Sequence, residues 1–498
     1  MRLKTGVIFL LLILLPTPWA TAQEIIIEKH CRDAYTEVIN LKFEDARILI
    51  EQEKEDNPEN LYPLYLENYI DFLSLFIGEN ELLFNKIEDH ESERLDLLDQ
   101  LPDNNPYKNY LKANIRLQWA ISGLKFQNYF SSALDIRRSY ILIKENREKF
   151  PEFKPQLITS GVLHIIIGMV PDQYQWILSL ISMEGNVSQG EEELYRALEI
   201  IKNNNNLNYL EPEVLFYLGF MEMNLGLDKN KKELLLETLT PFTNNNLLLT
   251  FLKANMLARS DRNDEALELL NKATQWKGYY PFTYLYYLKG EYRLRKLDQT
   301  APKEYRYYIN HFEGINFIKD AWRKTGWSYL INGDTTGYLE VMKKVLTAGE
   351  TNVDADKDAN KEALSSKIPN VVLLKVRLLS DGGYFDKARA LLKNNDLSGF
   401  SKEDKIEQLY RLGRIEQKTK NTANSKKYFV KTIKAGKNSK RYFAGNAALQ
   451  LGMIFESEKD YPSALKYYRL CRELDFDEYE TSIKEKAKQG IKRIEENK

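Results

Sequence analysis

Histidine, cysteine, proline and glycine are all scarce in these 498 residues, and each scarcity narrows what the chain can be. The four histidines, His30, His90, His164 and His311, stand apart, so there is no HExxH zinc helix and no histidine placed beside a serine or cysteine nucleophile. His90-Glu91-Ser92-Glu93 lacks the second histidine and reads as an exposed helix end. GxSxG, a phosphate-binding glycine loop and CxxC are missing too, so neither catalysis nor a cofactor is expected. Only Cys31 and Cys471 are present, one in the first predicted hairpin and one in the last. Opposite ends of an extended array lie beyond disulfide reach, so two free, buried thiols are expected. With 15 prolines and 24 glycines, long stretches are left uninterrupted for helices. A net charge of −1 gives no reason to expect a nucleic-acid partner.

Long apolar runs are confined to two places. Residues 1–22 carry Arg2 and Lys4, an apolar run over 6–15 and the small-residue site Ala20-Thr21-Ala22, the pattern of a cleaved secretory signal. No cysteine directly follows that site, so a lipid anchor is not expected; the mature chain should begin at Gln23 and be periplasmic or secreted. The second run, 162–183, includes His164, Pro171, Asp172, Gln173 and Gln175, which are costly in lipid. It reads as a buried helix broken at Pro171, so no transmembrane span is expected once the signal is removed.

What the chain does have is apolar residues at spacings of three and four, as in Ala464, Leu465 and Tyr468. Turns are expected at Asp56-Asn57-Pro58, Asp103 to Pro106, Asn203 to Asn206 and Asp381-Gly382-Gly383. A 34-residue unit starting at Gly445 puts Ala448 at position 4, Leu451 and Gly452 at 7 and 8, Phe455 at 11, Ala464 at 20, Tyr468 at 24 and Cys471 at 27. Small residues at 8 and 20 let two antiparallel helices approach, and aromatics at 11 and 24 fill the space beside them. The same offsets recur at Gly413 with Phe429, at Phe385, Ala388 and Leu392, at Trp322, Gly326 and Tyr329, and at Ala266, Leu270 and Ala273. Gly290 and Gly219 mark weaker units, and Ala34, Phe43, Ala46, Ile50 and Pro58 repeat the pattern near the start.

On these residues the chain resembles the tetratricopeptide repeat superfamily, most specifically in its two C-terminal units. The run from Gly161 through Gly168 to Pro171, followed by Gly185, Asn186 and Gly190, looks like the inclusion-body-clearance family of tetratricopeptide proteins. That family more often has a paired proline where Pro171-Asp172 stands here, and Gly-Asp where Gly185-Asn186 stands. The resemblance implies an all-α solenoid of degenerate helix hairpins with no catalytic motif to carry over. Expected regions are the signal (1–22), an N-terminal helical region (23–205) with an atypical insert at 161–198, and a repeat array (206–498).

Charge is uneven along the chain. Residues 51–103 are rich in acids, whereas 411–441 hold many lysines and arginines against Glu416 alone. Solvated helix faces account for such runs; the sharper expectation is an acidic partner, or head-to-tail self-contact, at the basic end. Asp354, Asp356, Asp358 and Asn360 have the alternate spacing of a calcium loop, but Ala359 replaces its turn glycine and Ser365 its bidentate glutamate. A polar loop between repeats over 348–369 is therefore expected, with no metal.

Stacked hairpins present their first helices along a groove suited to a peptide or a partner helix. Positions 2, 5 and 9 give Asp320, Arg323 and Trp327; Glu407, Tyr410 and Arg414; and Asn446, Leu449 and Met453. These nine residues are the expected recognition surface of a scaffold that binds a protein or peptide in the cell envelope. A carbohydrate-binding role is the alternative, since the chain has 31 tyrosines.

Overall fold

The computed structural model describes residues 25–170, 183–226, 229–395 and 398–496. Within them the chain is an all-α, solenoid-type succession of helix hairpins. The expected signal, together with Pro171 and Asp172, lies outside the described residues. No described helix is long and apolar enough to cross a membrane.

In order, α1 (Lys29–Ile39) pairs with α2 (Phe43–Asp56), and α3 (Tyr62–Gly78), α4 (Glu81–Ile87) and α5 (His90–Leu98) follow. Next, α6 (Pro106–Lys125) pairs with α7 (Tyr129–Lys149), and α8 (Gln156–Met169) with α9 (Val187–Lys202). The chain continues through α10 (Glu211–Leu225), α11 (Lys229–Thr238), α12 (Leu247–Arg259), α13 (Asn263–Ala273), α14 (Tyr284–Arg295) and α15 (Ala301–His311). After these come α16 (Ile318–Ile331), α17 (Thr335–Thr347), α18 (Asp354–Ser365), α19 (Val371–Asp381) and α20 (Phe385–Asn394). The last helices are α21 (Lys402–Lys418), α22 (Thr422–Gly436), α23 (Phe443–Ser457), α24 (Tyr461–Glu473) and α25 (Glu480–Glu496). The chain forms two compact units that part between Val214 and Leu215, with Ile77–Asn80 grouped with the second.

Short polar residues start several of the helices, and one of them, Asn105, lies in an expected turn. Asn105 accepts from the Tyr107 amide just before Pro106, Asp334 caps α17, Asn370 caps α19 and Asp460 caps α24. Ser401 and Asp404 bond each other's backbone amides in a capping box at α21.

In the first unit, Ala34, Phe43, Ala46 and Ile50 are all buried between α1 and α2, as their repeat positions require. Within the expected atypical insert, 161–198, the described residues belong to α8 and α9, which pack as an antiparallel pair. A Cβ on Gly190 would stand 2.4 Å from the Gly161 carbonyl oxygen, so two glycines bring α8 and α9 together backbone against backbone. Under them, Arg147, Ser160 and His164 converge on the Glu193 carboxylate. Burial alone would raise that carboxyl, but the bonds from His164, Ser160 and Arg147 hold it below its usual range.

In the second unit one packing device recurs: a glycine on the first helix of a hairpin receives an aromatic ring from the second. A Cβ at Gly452 would lie 2.4 Å from the Tyr468 ring, at Gly413 2.6 Å from Phe429, and at Gly290 2.8 Å from Tyr305. These rings are fully buried, and each hairpin closes over its own ring before stacking on the next. Farther-reaching contacts bind separate hairpins together. Gly383, at φ +81°, lies against the Asp261 carbonyl, Tyr384 donates to Asp264 at 2.9 Å, and Lys418 pairs with Asp261 at 2.9 Å. Cys31 and Cys471 are both free and buried, and burial pushes each thiol up to about 12.

Candidate binding face

The first helices α14, α16, α19, α21 and α23 pack side by side within the second unit. Their shared face carries most of the residues expected to recognise a partner. Asp320, Arg323 and Trp327, all on α16, are buried there. Asp320 pairs with Arg323 and, at 2.9 Å, with Lys324, and it accepts from the Tyr287 hydroxyl. Burial would raise the Asp320 carboxyl, but Lys324 and Arg323 hold it well below the usual carboxylate range. Arg323 covers the Trp327 ring at 4.8 Å, and the Trp327 indole donates to Glu362 at 2.8 Å. These three side chains are therefore tied to α14 and α18 as well as to each other.

On α21, Glu407 and Tyr410 are buried, and Glu407 pairs with Arg411 at 2.9 Å and with Arg441 at 3.2 Å. Arg414 is half-buried and donates to Gln417 at 3.1 Å, and Gln417 donates in turn to Gln450. Gln450 donates to Asn446, which is half-buried on α23. Leu449 is a core residue, and Met453 is 46 % exposed. Of the nine, Arg414, Asn446 and Met453 reach solvent; the other six build the wall behind them.

Arg377 and Tyr479 also belong to this face, and sequence reasoning passed over both. Arg377 occupies position 9 of the unit anchored on Ala388, equivalent to Trp327, Arg414 and Met453 in their own units. Its guanidinium stands 5.2 Å from the centre of the Trp327 ring, about a third (34 %) of its side chain is exposed, and it pairs with Asp381 at 3.8 Å. Extending the same offset to α19 would have found it. Tyr479 lies in the turn before α25, and no repeat position predicts its reach.

The calcium-like segment is helical where a polar loop is expected. Its oxygens sit on α18, where successive residues turn by about 100°, so side chains two apart face different ways and cannot converge on one ion. Asp356 instead accepts from the backbone amides of Phe317 at 2.6 Å and Asp320 at 2.9 Å, capping α16 from outside. Phe317, the residue before α16, has φ 60° and no side-chain cap of its own. Among the described residues no group of three or more potential ligands is placed to hold a metal.

The basic stretch 411–441 divides in two. Lys418, Lys426, Lys440 and Arg441 pair with Asp261, Glu458, Asp475 and Glu407. Lys427, Lys431 and Lys434 project from α22 into solvent. A cleft of about 500 Å³ lies between α24 and α25, lined by Arg469, Arg472, Lys484 and Lys488 with Glu473 and Glu485.

Paired helices with small residues at the crossing and buried rings beside them define a tetratricopeptide-like helical-repeat protein, an architecture that suits scaffold and protein-binding roles. Residues 156–280 match the family model described as Iml2/Tetratricopeptide repeat protein 39. Similar solved structures include an IFIT1 monomeric mutant with Gppp-AAAA, at 13 % identity over 94 % of this chain and 95 % of that one, with a TM-score of 0.31. Another is the human IFIT1 dimer with PPP-AAAA, at 12 % identity over 95 % and 96 % of the two chains, TM-score 0.31. No curated protein sequence matches the chain.

Proposed function

We propose that the chain is a non-enzymatic scaffold that binds an extended segment of a protein partner, and that it does so in the cell envelope. The observation that carries this reading is the line of equivalent positions Arg377, Arg414 and Met453 across successive first helices. Behind that line lies a wall of mutually bonded side chains, and in front of it stand guanidinium, amide and thioether groups open to solvent. A rigid wall spares a ligand the cost of ordering its receptor. Arginine and the amides of Asn446 and Gln417 suit a backbone or carboxylate, and Met453 adapts to apolar side chains.

Placement in the envelope rests on the signal-like residues 1–22, and a cleaved N-terminus at Gln23 would support it. The carbohydrate alternative needs aromatic faces free for stacking, whereas Trp327 is buried with Arg323 and Arg377 over its ring. Affinity capture from intact envelopes after in situ crosslinking tests the reading. Recovery of one partner, lost in the Arg377→Gln and Arg414→Gln double variant, is the expected result; capture unchanged by that variant would overturn it.

A further inference from the structure

A segment of the chain itself lies at the edge of the candidate face. The turn between α24 and α25 reads Asp475-Phe476-Asp477-Glu478-Tyr479-Glu480, an aromatic-bearing acidic segment. It is seated on the basic turn that precedes α23. Lys440 pairs with Asp475 at 2.5 Å, the Asp477 amide donates to the Lys440 carbonyl at 2.9 Å, and Arg441 meets Glu478 at 3.6 Å. Phe476 is fixed in the core against Gly445. Tyr479 is not: it is 44 % exposed and held at φ 56°, a left-handed backbone that a tyrosine rarely adopts. Its ring meets Tyr442 edge-on at 5.3 Å, and its hydroxyl lies near the Asp358 carboxylate on α18, three hairpins back in the chain. Arg323 and Arg377 lie close enough for their charges to act on that hydroxyl.

We infer that Tyr479 and its flanking acids occupy the binding face as an internal stand-in for the partner, and that the partner segment has the same chemistry: a tyrosine or phenylalanine flanked by aspartate or glutamate. This rests on the scaffold reading above and adds to it the class of segment and a competition. The seat offers an aromatic edge from Tyr442, the unevenly neutralised guanidinium of Arg377, and Arg441, which shares Glu407 with Arg411. An incoming segment that takes the place of Tyr479 meets Tyr442 and Arg377, while Phe476 and the Lys440 contacts keep the rest of the turn in place.

The probe is a fluorescent peptide copying residues 475–481, titrated against the full chain, the Tyr479→Ala variant and the Tyr479→Phe variant, with melting curves confirming that each folds. The expected result is binding at least tenfold tighter to Tyr479→Ala than to the unaltered chain, with Tyr479→Phe between them. Binding should weaken with salt, disappear in Tyr479→Ala carrying Arg377→Gln, and be absent for a peptide with Asn and Gln in place of its acids. Equal binding to all three proteins, equal binding of the neutral peptide, or no binding to Tyr479→Ala overturns the inference. If captured partners bind through the face without competing with this peptide, the stand-in idea fails and the scaffold reading stands; if no partner is captured at all, the scaffold reading itself fails.

Discussion

Glu91 shows at the scale of one residue what burial without full compensation does. Its carboxylate lies beside Asp135, with Arg116 at 3.6 Å, and Oε1 is buried without a hydrogen bond. Burial first, and then the Asp135 charge, push it up to about 7, against the pull of Arg116 and Arg138. Between its ordinary value and about 7 the folded chain binds a proton that the unfolded chain does not, so stability falls as pH rises through that window. Glu91→Gln should therefore raise the melting temperature at pH 8, by the equivalent of about 1–3 kcal/mol, and leave it unchanged at pH 4. Differential scanning calorimetry of both proteins at the two pH values checks this. Nothing in the sequence marks Glu91 out from the acids around it, because the cause is a tertiary neighbour, Asp135, on α7. By contrast, the pairing of Gly452 with Tyr468 is legible, since both lie in one hairpin and their separation is set by helix geometry. Gly452→Val should overpack that seam and cost about 1–3 kcal/mol, seen as a lower urea midpoint with an unchanged slope.

At the scale of elements, local pattern foretold the hairpins and the turn before Pro106 but misread α18. The segment 354–360 has few apolar residues and an alternating set of oxygens, so it reads as a loop. It is a helix because Ala359 and Ala363 pack inward and Asp356 is bonded to the start of α16. That bond joins positions 36 and 39 residues apart, which no window of helical length can see. Replacing Asp356 by Ala leaves two backbone amides at the start of α16 without an acceptor and should destabilise the chain by about 1–3 kcal/mol. Asp354→Ala, at an exposed neighbouring site, should stay within about 0.5 kcal/mol. Thermal melts of the two variants side by side separate a capping carboxylate from a merely acidic surface. The paired helices α8 and α9 carry the same lesson in reverse: their glycines were visible in the sequence, and only the direct backbone contact between them was not.

For the molecule as a whole, the repeat offsets extend through most of the described chain because each hairpin solves the same packing problem. The candidate face was half legible for the same reason. Position 9 pointed to Trp327, Arg414 and Met453, and would have pointed to Arg377 had the offset been carried to α19. Whether a side chain at those positions is wall or surface depends on neighbours from other hairpins. Glu362 and Tyr287 draw Trp327 and Asp320 inward, whereas Arg414 bonds along its own helix to Gln417 and Met453 is exposed. The face lined by Arg377, Arg414, Asn446 and Met453 is proposed to receive the partner. The most direct test places a photo-crosslinking residue at Met453, and separately at Lys431 on the opposite helix of the preceding hairpin, and illuminates intact cells. The account predicts a partner crosslinked from position 453 and none from 431. Crosslinks to the same partner from 431 alone would contradict it.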